Sequence, residues 1–279
     1  MPDPIEAREW LEESLPVQPG GTLYVRTVRG SVDVRSHDGD EVRVEAEARG
    51  RRPEQVRFVL EQSGDDVHFE VRVEGWLTGL FGSLDVRARL WVPRQYSLVL
   101  RASGGDVRVD GISGDVSLET SGGDAAITRT VGPIDLTSSG GNFEIVHVDG
   151  DVRVKTSGGN ITLRDVFGDV AAKSSGGELE IDGVDGAVDL RSSGGSISVV
   201  FLGDPEGEIK GSGGSIEVFV REDAHFELDA KAGGGGIEVE LPLEPVYERS
   251  RQVFAGSYGG GGPKLKLRSS GGGIRIAQL

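Results

Sequence analysis

Four basic residues recur at nearly constant spacing in the middle of the chain, and they are the first candidates for a binding site. In order they are Lys155, Lys173, Arg191 and Lys210. If the chain repeats with that spacing, the four side chains stack on one face and form a stripe that attracts anions. The residues two positions earlier are mixed in charge, so a solvated face with partial pairing across strands is the alternative interpretation.

Acidic and amide side chains recur beside glycines with the same spacing. They include Asp106, Asp115, Asp124, Asn142, Asp151, Asn160 and Asp169. Asp and Asn favour tight turns because their side chains bond the nearby backbone, and we prefer this interpretation. Two alternatives would use the same residues, namely a weak calcium site and a pair of carboxyl groups that cleaves sugars. The calcium-binding β-roll motif is a poor match, since valine stands at 107 and 109 where that motif has Gly and Asp.

Other signals for catalysis are weak. The four histidines, at 37, 68, 147 and 225, show no metal-ligand spacing, and the absence of Cys excludes thiolate chemistry. The run GGGGPK at 259–264 has the glycines of a phosphate loop, but it lacks the following Ser or Thr and the strand–loop–helix context. We therefore predict no catalytic, metal-binding or cofactor-binding residue and no enzyme activity.

One apolar cluster interrupts a polar region, in the segment GWLTGLFGSL at 75–84. Its large side chains are Trp76, Leu77, Leu80 and Phe81. Exposed apolar patches often mark contact sites, so we predict that these residues contact a partner. The alternative is that the segment packs over the core as part of a cap.

The elements that position these residues are marked by glycine, which accounts for 45 of the 279 residues. The tripeptide Ser-Gly-Gly starts every 18 residues, at 103, 121, 139, 157, 175 and 193. Each unit splits into two nine-residue halves, and each half carries two apolar residues separated by one position, which is typical of a short strand with one buried face. Units stacked 18 residues apart produce inward apolar columns, such as Val107, Ala125, Phe143, Ile161, Leu179 and Ile197.

We therefore predict an all-β fold, a single-stranded parallel β-solenoid that is β-helix-like or β-roll-like. It has 18-residue coils, two main strands per coil, and irregular N- and C-terminal caps. Four parts follow. Residues 1–19 form a short helix that packs through Ile5, Trp10, Leu11 and Leu15. Residues 20–102 form a first coil and an enlarged strand region, 103–214 form regular coils, and 215–279 form irregular coils and a cap.

Charge and hydropathy limit the partners. The chain carries 30 Lys and Arg against 46 Asp and Glu, a net charge of -16, which disfavours nucleic-acid binding. No apolar run approaches the roughly 20 residues of a membrane span. The start MPDPIEAREW has no apolar secretory segment, so a cytoplasmic location is expected.

Three stretches of the sequence resemble a bacterial family of Gly-rich β-strand-repeat proteins known as "putative adhesins". They are the opening GGTLYVRTVRGSVDVRS, the SSGGDV and SGGNI coils, and the close GGGGPKLKLRSSGGGIRI, and the likeness covers roughly residues 20–279. The resemblance implies a β-solenoid of unassigned function, no established enzyme activity, and association with the cell envelope or the envelope-stress response. We expect a non-enzymatic scaffold or protein-interaction module with an unidentified protein partner. The alternatives are a carbohydrate-binding or carbohydrate-active β-helix protein and a self-assembling structural protein.

Overall fold

The computed structural model describes residues 4–50, 52–74, 84–245 and 250–279. They form two compact units, Met1–Ser139 and Gly140–Leu279. Nearly all regular structure is β-strand, and the only helical element among the described residues is a 3-10 turn, Pro53–Gln55. The all-β solenoid predicted from the sequence is confirmed.

The first unit contains thirteen strands. They are β1 (Ile5–Arg8), β2 (Trp10–Pro16), β3 (Thr22–Thr27), β4 (Ser31–His37), β5 (Glu41–Gly50), β6 (Val56–Ser63), β7 (Asp66–Val73), β8 (Leu84–Pro93), β9 (Ser97–Ala102), β10 (Val107–Asp110), β11 (Val116–Thr120), β12 (Ala125–Val131) and β13 (Ile134–Ser138). Their order is β1-β6-β7-β3-β9-β11-β13 in one sheet and β2-β5-β8-β4-β10-β12 in the other.

Successive coils of this unit pair in parallel and in register. Val107 pairs with Ala125 on the next coil, and Val116 pairs with Ile134. The first coil joins this stack directly, because Val32 pairs with Val107 although 74 positions separate them. The intervening strands β5 to β8 extend the two sheets through antiparallel pairs, β5 with β8 and β6 with β7.

The prediction of a helix in residues 1–19 is wrong, because the segment forms β1 and β2. β1 pairs antiparallel with β6, and β2 pairs antiparallel with β5, so the segment covers two strands that would otherwise be sheet edges. Of the four predicted packing residues, Leu11 is buried, Ile5 and Leu15 are half-buried, and Trp10 remains 59% exposed. Glu9, with a positive φ of 66°, lies between the two strands where the chain changes sheets.

The second unit contains fifteen strands. They are β14 (Phe143–Asp149), β15 (Val152–Thr156), β16 (Ile161–Phe167), β17 (Val170–Ser174), β18 (Leu179–Asp185), β19 (Val188–Ser192), β20 (Ile197–Phe201), β21 (Gly207–Gly211), β22 (Ile216–Val220), β23 (Phe226–Ala232), β24 (Ile237–Val239), β25 (Glu244–Pro245), β26 (Val253–Tyr258), β27 (Lys264–Ser269) and β28 (Ile274–Gln278). Their order is β15-β17-β19-β21-β27-β23-β26-β25 in one sheet and β14-β16-β18-β20-β22-β28-β24 in the other.

The end of the second unit departs from sequence order. The last coil of the chain, β27 and β28, lies between the coil made by β21 and β22 and the coil made by β23 and β24. In one sheet Leu267 pairs with Ile209 on one side and with Ala230 on the other. The final coil is therefore an internal layer of this unit.

Inward side chains of neighbouring coils form the core of each unit. In the second unit Ile161, Leu163 and Val166 have no solvent exposure, and they alternate with outward polar residues along β16. A single coil cannot bury such a row alone, so each coil depends on its neighbours for stability.

A column of buried hydroxyl groups links successive coils of the second unit. The Ser174 hydroxyl donates to the Gly159 carbonyl oxygen on the previous coil at 3.1 Å and accepts from the Gly177 amide at 2.9 Å. The Ser192 hydroxyl repeats the first contact with the Gly177 carbonyl oxygen at 3.2 Å. These hydroxyls satisfy backbone groups that the corner would otherwise leave buried without partners.

We expect Ser174→Ala to lower the free energy of unfolding by about 2 kcal/mol, because it leaves a buried carbonyl oxygen and a buried amide without a partner. The matched control is Ser175→Ala, whose side chain is exposed one position later. Urea unfolding of the two variants measures the difference. Equal midpoints would show that the buried hydroxyl contributes nothing to the link between coils.

Candidate anion-binding face

The four basic residues of the predicted stripe lie together on one sheet of the second unit. Lys155 (β15), Lys173 (β17), Arg191 (β19) and Lys210 (β21) occupy equivalent positions on neighbouring strands. All four alternate with buried residues and face outward. The spacing of 18 or 19 residues in the sequence thus becomes a spacing of about 4.8 Å between strands.

Two further cations continue this line. Lys210 pairs with Arg268 on β27, and Arg268 pairs with Lys231 on β23. We call these six residues the basic row; they are Lys155, Lys173, Arg191, Lys210, Arg268 and Lys231. The row crosses five strand spacings, or about 24 Å. The sequence spacing does not predict its last two members, because the 18-residue repeat gives no sign that β27 lies between β21 and β23.

Half of the basic row is neutralised by acidic residues in the neighbouring outward column of the same sheet. Arg191 donates to both carboxylate oxygens of Asp189, at 2.9 and 3.1 Å. Lys210 pairs with Glu208 on its own strand, and Arg268 pairs with Asp229 on the neighbouring strand β23, each at 2.7 Å. These contacts reduce the positive potential along that part of the row.

The pKa values of two groups in these pairs reflect the contacts. The hydrogen bond to Asp189, followed by its charge, raises the pKa of Arg191. Partial burial opposes ionisation of Asp229, yet the hydrogen bond and the charge of Arg268 lower the pKa of this carboxyl below its ordinary value. Both shifts favour the charged forms of Arg191 and Asp229.

At the opposite end of the row, the positive charges of Lys155 and Lys173 are not neutralised by neighbouring carboxylates. Ala171 occupies the position on β17 that Asp189 occupies on β19, so no carboxylate lies two residues before Lys173. Neither Lys155 nor Lys173 has an ion-pair partner among the described residues. The small side chain also leaves a shallow depression of about 240 Å³, whose charged lining residues are Arg153, Lys155, Lys173, Arg191 and Asp189. This end combines positive charge with room for an anionic group.

A larger open depression, of about 1020 Å³, lies on the first unit. Its charged lining residues are Arg29, Asp33, Asp85, Arg87, Arg89, Asp106 and Arg108. They meet because β8, β4 and β10 are neighbours in one sheet, which sequence analysis did not anticipate. Four arginines face three aspartates here, and Arg87 pairs with Asp85 at 3.0 Å. The charge of this depression is therefore nearly balanced, unlike that of the Lys155 and Lys173 end.

The corner carboxyl and amide groups bond to backbone. The Asp151 carboxylate accepts from the Asp169 amide on the next coil at 3.0 Å, and the Asp169 carboxylate accepts from the Ala187 amide at 2.9 Å. Asn142 and Asn160 make the same contact at 3.0 Å. Each acid thereby caps the following coil, which is the turn chemistry preferred in the sequence analysis. Among the described residues no group of three His, Cys, Asp or Glu side chains could hold a metal ion.

The histidines and the glycine run have local structural contacts. His68 stacks on Tyr24 with ring centroids 4.4 Å apart, and Nδ1 of His147 lies 2.9 Å from a carboxylate oxygen of Asp165. The glycine run at 259–262 connects β26 to β27, and its Gly261 amide donates to the Tyr258 carbonyl oxygen at 3.1 Å. It is a turn between two strands and not a strand–loop–helix element.

The predicted contact patch, Trp76, Leu77, Leu80 and Phe81, lies outside the described residues. Its role in binding a partner stays a prediction. No helix in the described part of the chain has the length and apolar character needed to cross a membrane.

Parallel in-register coils define this chain as a β-solenoid protein. Residues 22–277 match the family described as Toastrack DUF4097. The chain belongs to that family, and the resemblance found in the sequence analysis is confirmed. A search of curated proteins gave no match.

Solved structures of similar proteins have low sequence identity. One, described as a "putative adhesin" from Parabacteroides distasonis, is 14% identical, with 98% of each chain covered and a TM-score of 0.48. Another, described as a "putative lipid binding protein" from the same organism, is 13% identical, covers 98% of this chain and 96% of that chain, and has a TM-score of 0.47. A "putative adhesin" from Bacteroides fragilis is 14% identical, with 98% of each chain covered and a TM-score of 0.37.

Proposed function

We propose that this Toastrack protein is a non-enzymatic binding module that holds an acidic partner on its basic row, with Lys155 and Lys173 as the main contacts. The observation that carries the proposal is the alignment of six cations on neighbouring strands, of which one end has no compensating carboxylate. The envelope association that the family resemblance implies is part of the same proposal.

The chemistry of the row favours binding over catalysis. The acids beside it, Asp189, Glu208 and Asp229, are each engaged by a cation of the row. The groups that remain for a ligand are ammonium and guanidinium ions, which attract and orient anions. A rigid sheet fixes their spacing in advance, so little conformational order must be gained when a partner binds.

The protein as a whole is acidic, so the excess of positive charge at Lys155 and Lys173 contrasts with the rest of the chain. A chain with a net charge of -16 repels an acidic partner at long range. Screening by salt shortens that repulsion to about 8 Å at physiological ionic strength, so contacts at the row dominate once the partner is close. We therefore expect binding to be weak at low salt, strongest at moderate salt, and lost at high salt.

Ala171→Asp tests the proposal without removing any lysine. The new carboxylate would lie two residues before Lys173, as Asp189 lies before Arg191. We expect it to weaken binding of a fluorescent 20-residue polyglutamate peptide about fivefold, because one exposed ion pair is worth up to ~1 kcal/mol. Fluorescence anisotropy at physiological salt measures the effect.

The control is Ala187→Asp, which adds the same charge to the same sheet at the position that Asp169 occupies one coil earlier, in the acidic corner column. It should change peptide binding less than twofold. Equal effects of the two variants would mean that net charge, and not the row, governs binding. Absence of any binding by the wild-type protein would overturn the proposed function.

A further inference from the structure

A row of free hydroxyl groups runs beside the basic row. Five of the six cations are followed, two positions later in the sequence, by an exposed serine. These serines are Ser157, Ser175, Ser193, Ser212 and Ser270. Among the described residues none of these side chains has a hydrogen-bond partner. Each is followed by two glycines, so no side chain rises beyond the serines to obstruct a ligand. The cations and the hydroxyls together form a shelf along the corners of the coils.

Acidic side chains lie on the opposite side of the basic row, chiefly beside its second half. The neighbouring column contains Asp189, Glu208 and Asp229 together with Arg153, Ala171 and Lys266. Its acids repel an anionic ligand from that side, whereas the serine side presents only Ser and Gly. The favourable path is therefore a line, with cations on one side and hydroxyls on the other.

The spacing and composition of the shelf limit the type of polyanion. The outward residues of β15, β17, β19, β21, β27 and β23 include no aromatic side chain, so single-stranded nucleic acid has no stacking platform. Adjacent cations lie about 4.8 Å apart. A pyranose sugar is about as long as the strand spacing, and it carries hydroxyls beside its acidic group.

We propose that the shelf binds a linear anionic polysaccharide with one carboxylate on each sugar, a polyuronate. Successive carboxylates would lie along the basic row, with the tightest contacts at Lys155 and Lys173, and sugar hydroxyls would bond to the serine side chains. This inference rests on the proposed function, because it names the class of ligand for the same row. Six in-register positions predict that a chain of about six sugars fills the site.

The test uses the full-length protein and isothermal titration calorimetry with polygalacturonate. Wild-type protein is expected to bind an eight-sugar fragment at least tenfold more tightly than a two-sugar fragment, and not to bind neutral dextran. Ser175→Ala with Ser193→Ala should weaken binding of the eight-sugar fragment about threefold without changing polyglutamate binding. The matched control is Ser121→Ala with Ser139→Ala, two exposed serines of the same motif that lack a cation two positions earlier; it should have no effect.

Three results would overturn the assignment. The first is binding of polyglutamate but not of polygalacturonate, which leaves the proposed function intact and indicates an acidic protein segment as the partner. The second is tighter binding of inorganic polyphosphate than of polygalacturonate. The third is unchanged binding of polygalacturonate in the Ser175 and Ser193 variant. If the wild-type protein binds none of these anions, the proposed function fails together with the inference.

Discussion

Replacing Gly177 with alanine is expected to lower the free energy of unfolding of the second unit by about 3 kcal/mol. A Cβ atom at this position would lie 2.0 Å from the carbonyl oxygen of Gly159 on the previous coil and 2.4 Å from its carbonyl carbon. Both atoms belong to the backbone, so the clash is relieved only by moving the two coils apart. That movement would also lengthen the hydrogen bond that the Ser174 hydroxyl donates to the Gly159 carbonyl oxygen.

The neighbouring glycine provides a matched control. A Cβ atom on Gly176 would meet nothing closer than 3.6 Å, which is ordinary van der Waals contact. Both substitutions restrict the unfolded chain equally, so their difference in stability isolates the clash. Urea unfolding followed by circular dichroism gives this difference. If Gly176→Ala and Gly177→Ala unfold at the same midpoint, the corners of neighbouring coils do not stack as closely as these distances require.

Replacing Leu267 with alanine is expected to cost about 3 kcal/mol and to destabilise strands on both sides of β27. Leu267 has no solvent exposure, and its neighbours in the sheet are Ile209 on β21 and Ala230 on β23. A cavity at this point should therefore increase amide hydrogen exchange in both neighbouring strands. Hydrogen exchange read by mass spectrometry resolves residues 207–211 from residues 226–232.

The outcome distinguishes the observed order of strands from stacking in sequence order. If the final coil were a terminal layer, 207–211 would keep its protection when Leu267 is truncated. Lys266→Ala is the control, because this side chain is exposed on the other face of the same strand. It should leave exchange in both segments unchanged.

The regular coils could be predicted from the sequence because their signal is local and repeated. The apolar residues predicted to stack, such as Phe143, Ile161 and Leu179, are paired in register and buried. The amino terminus was mispredicted for the opposite reason. Its spacing of apolar residues was compatible with a helix, and the strand form is stabilised by the edges of β5 and β6, which are remote in sequence.

The candidate site was predicted in part. Lys155, Lys173, Arg191 and Lys210 lie in consecutive coils, so their common position followed from the 18- or 19-residue spacing. Arg268 and Lys231 belong to the same row through strand order alone. The role of Ala171 also became visible only in the structure. It occupies the position that Asp189 occupies one coil later, where the Asp189 carboxylate pairs with Arg191, so alanine leaves Lys173 without an equivalent carboxylate.

The sequence by itself determined the coil: its length, its two strands, its glycine corners and the side of each strand that faces the core. Side chains alternate along a strand, and a repeated spacing stacks equivalent residues, so these features depend only on neighbouring positions and on the repeat. The tertiary structure alone decided which coils are neighbours at the two ends, and therefore which cations complete the basic row. The apolar columns of all coils are alike, so the coil of β27 and β28 could pair in register with several others. The position of this coil depends on which strand edges the rest of the fold leaves unpaired.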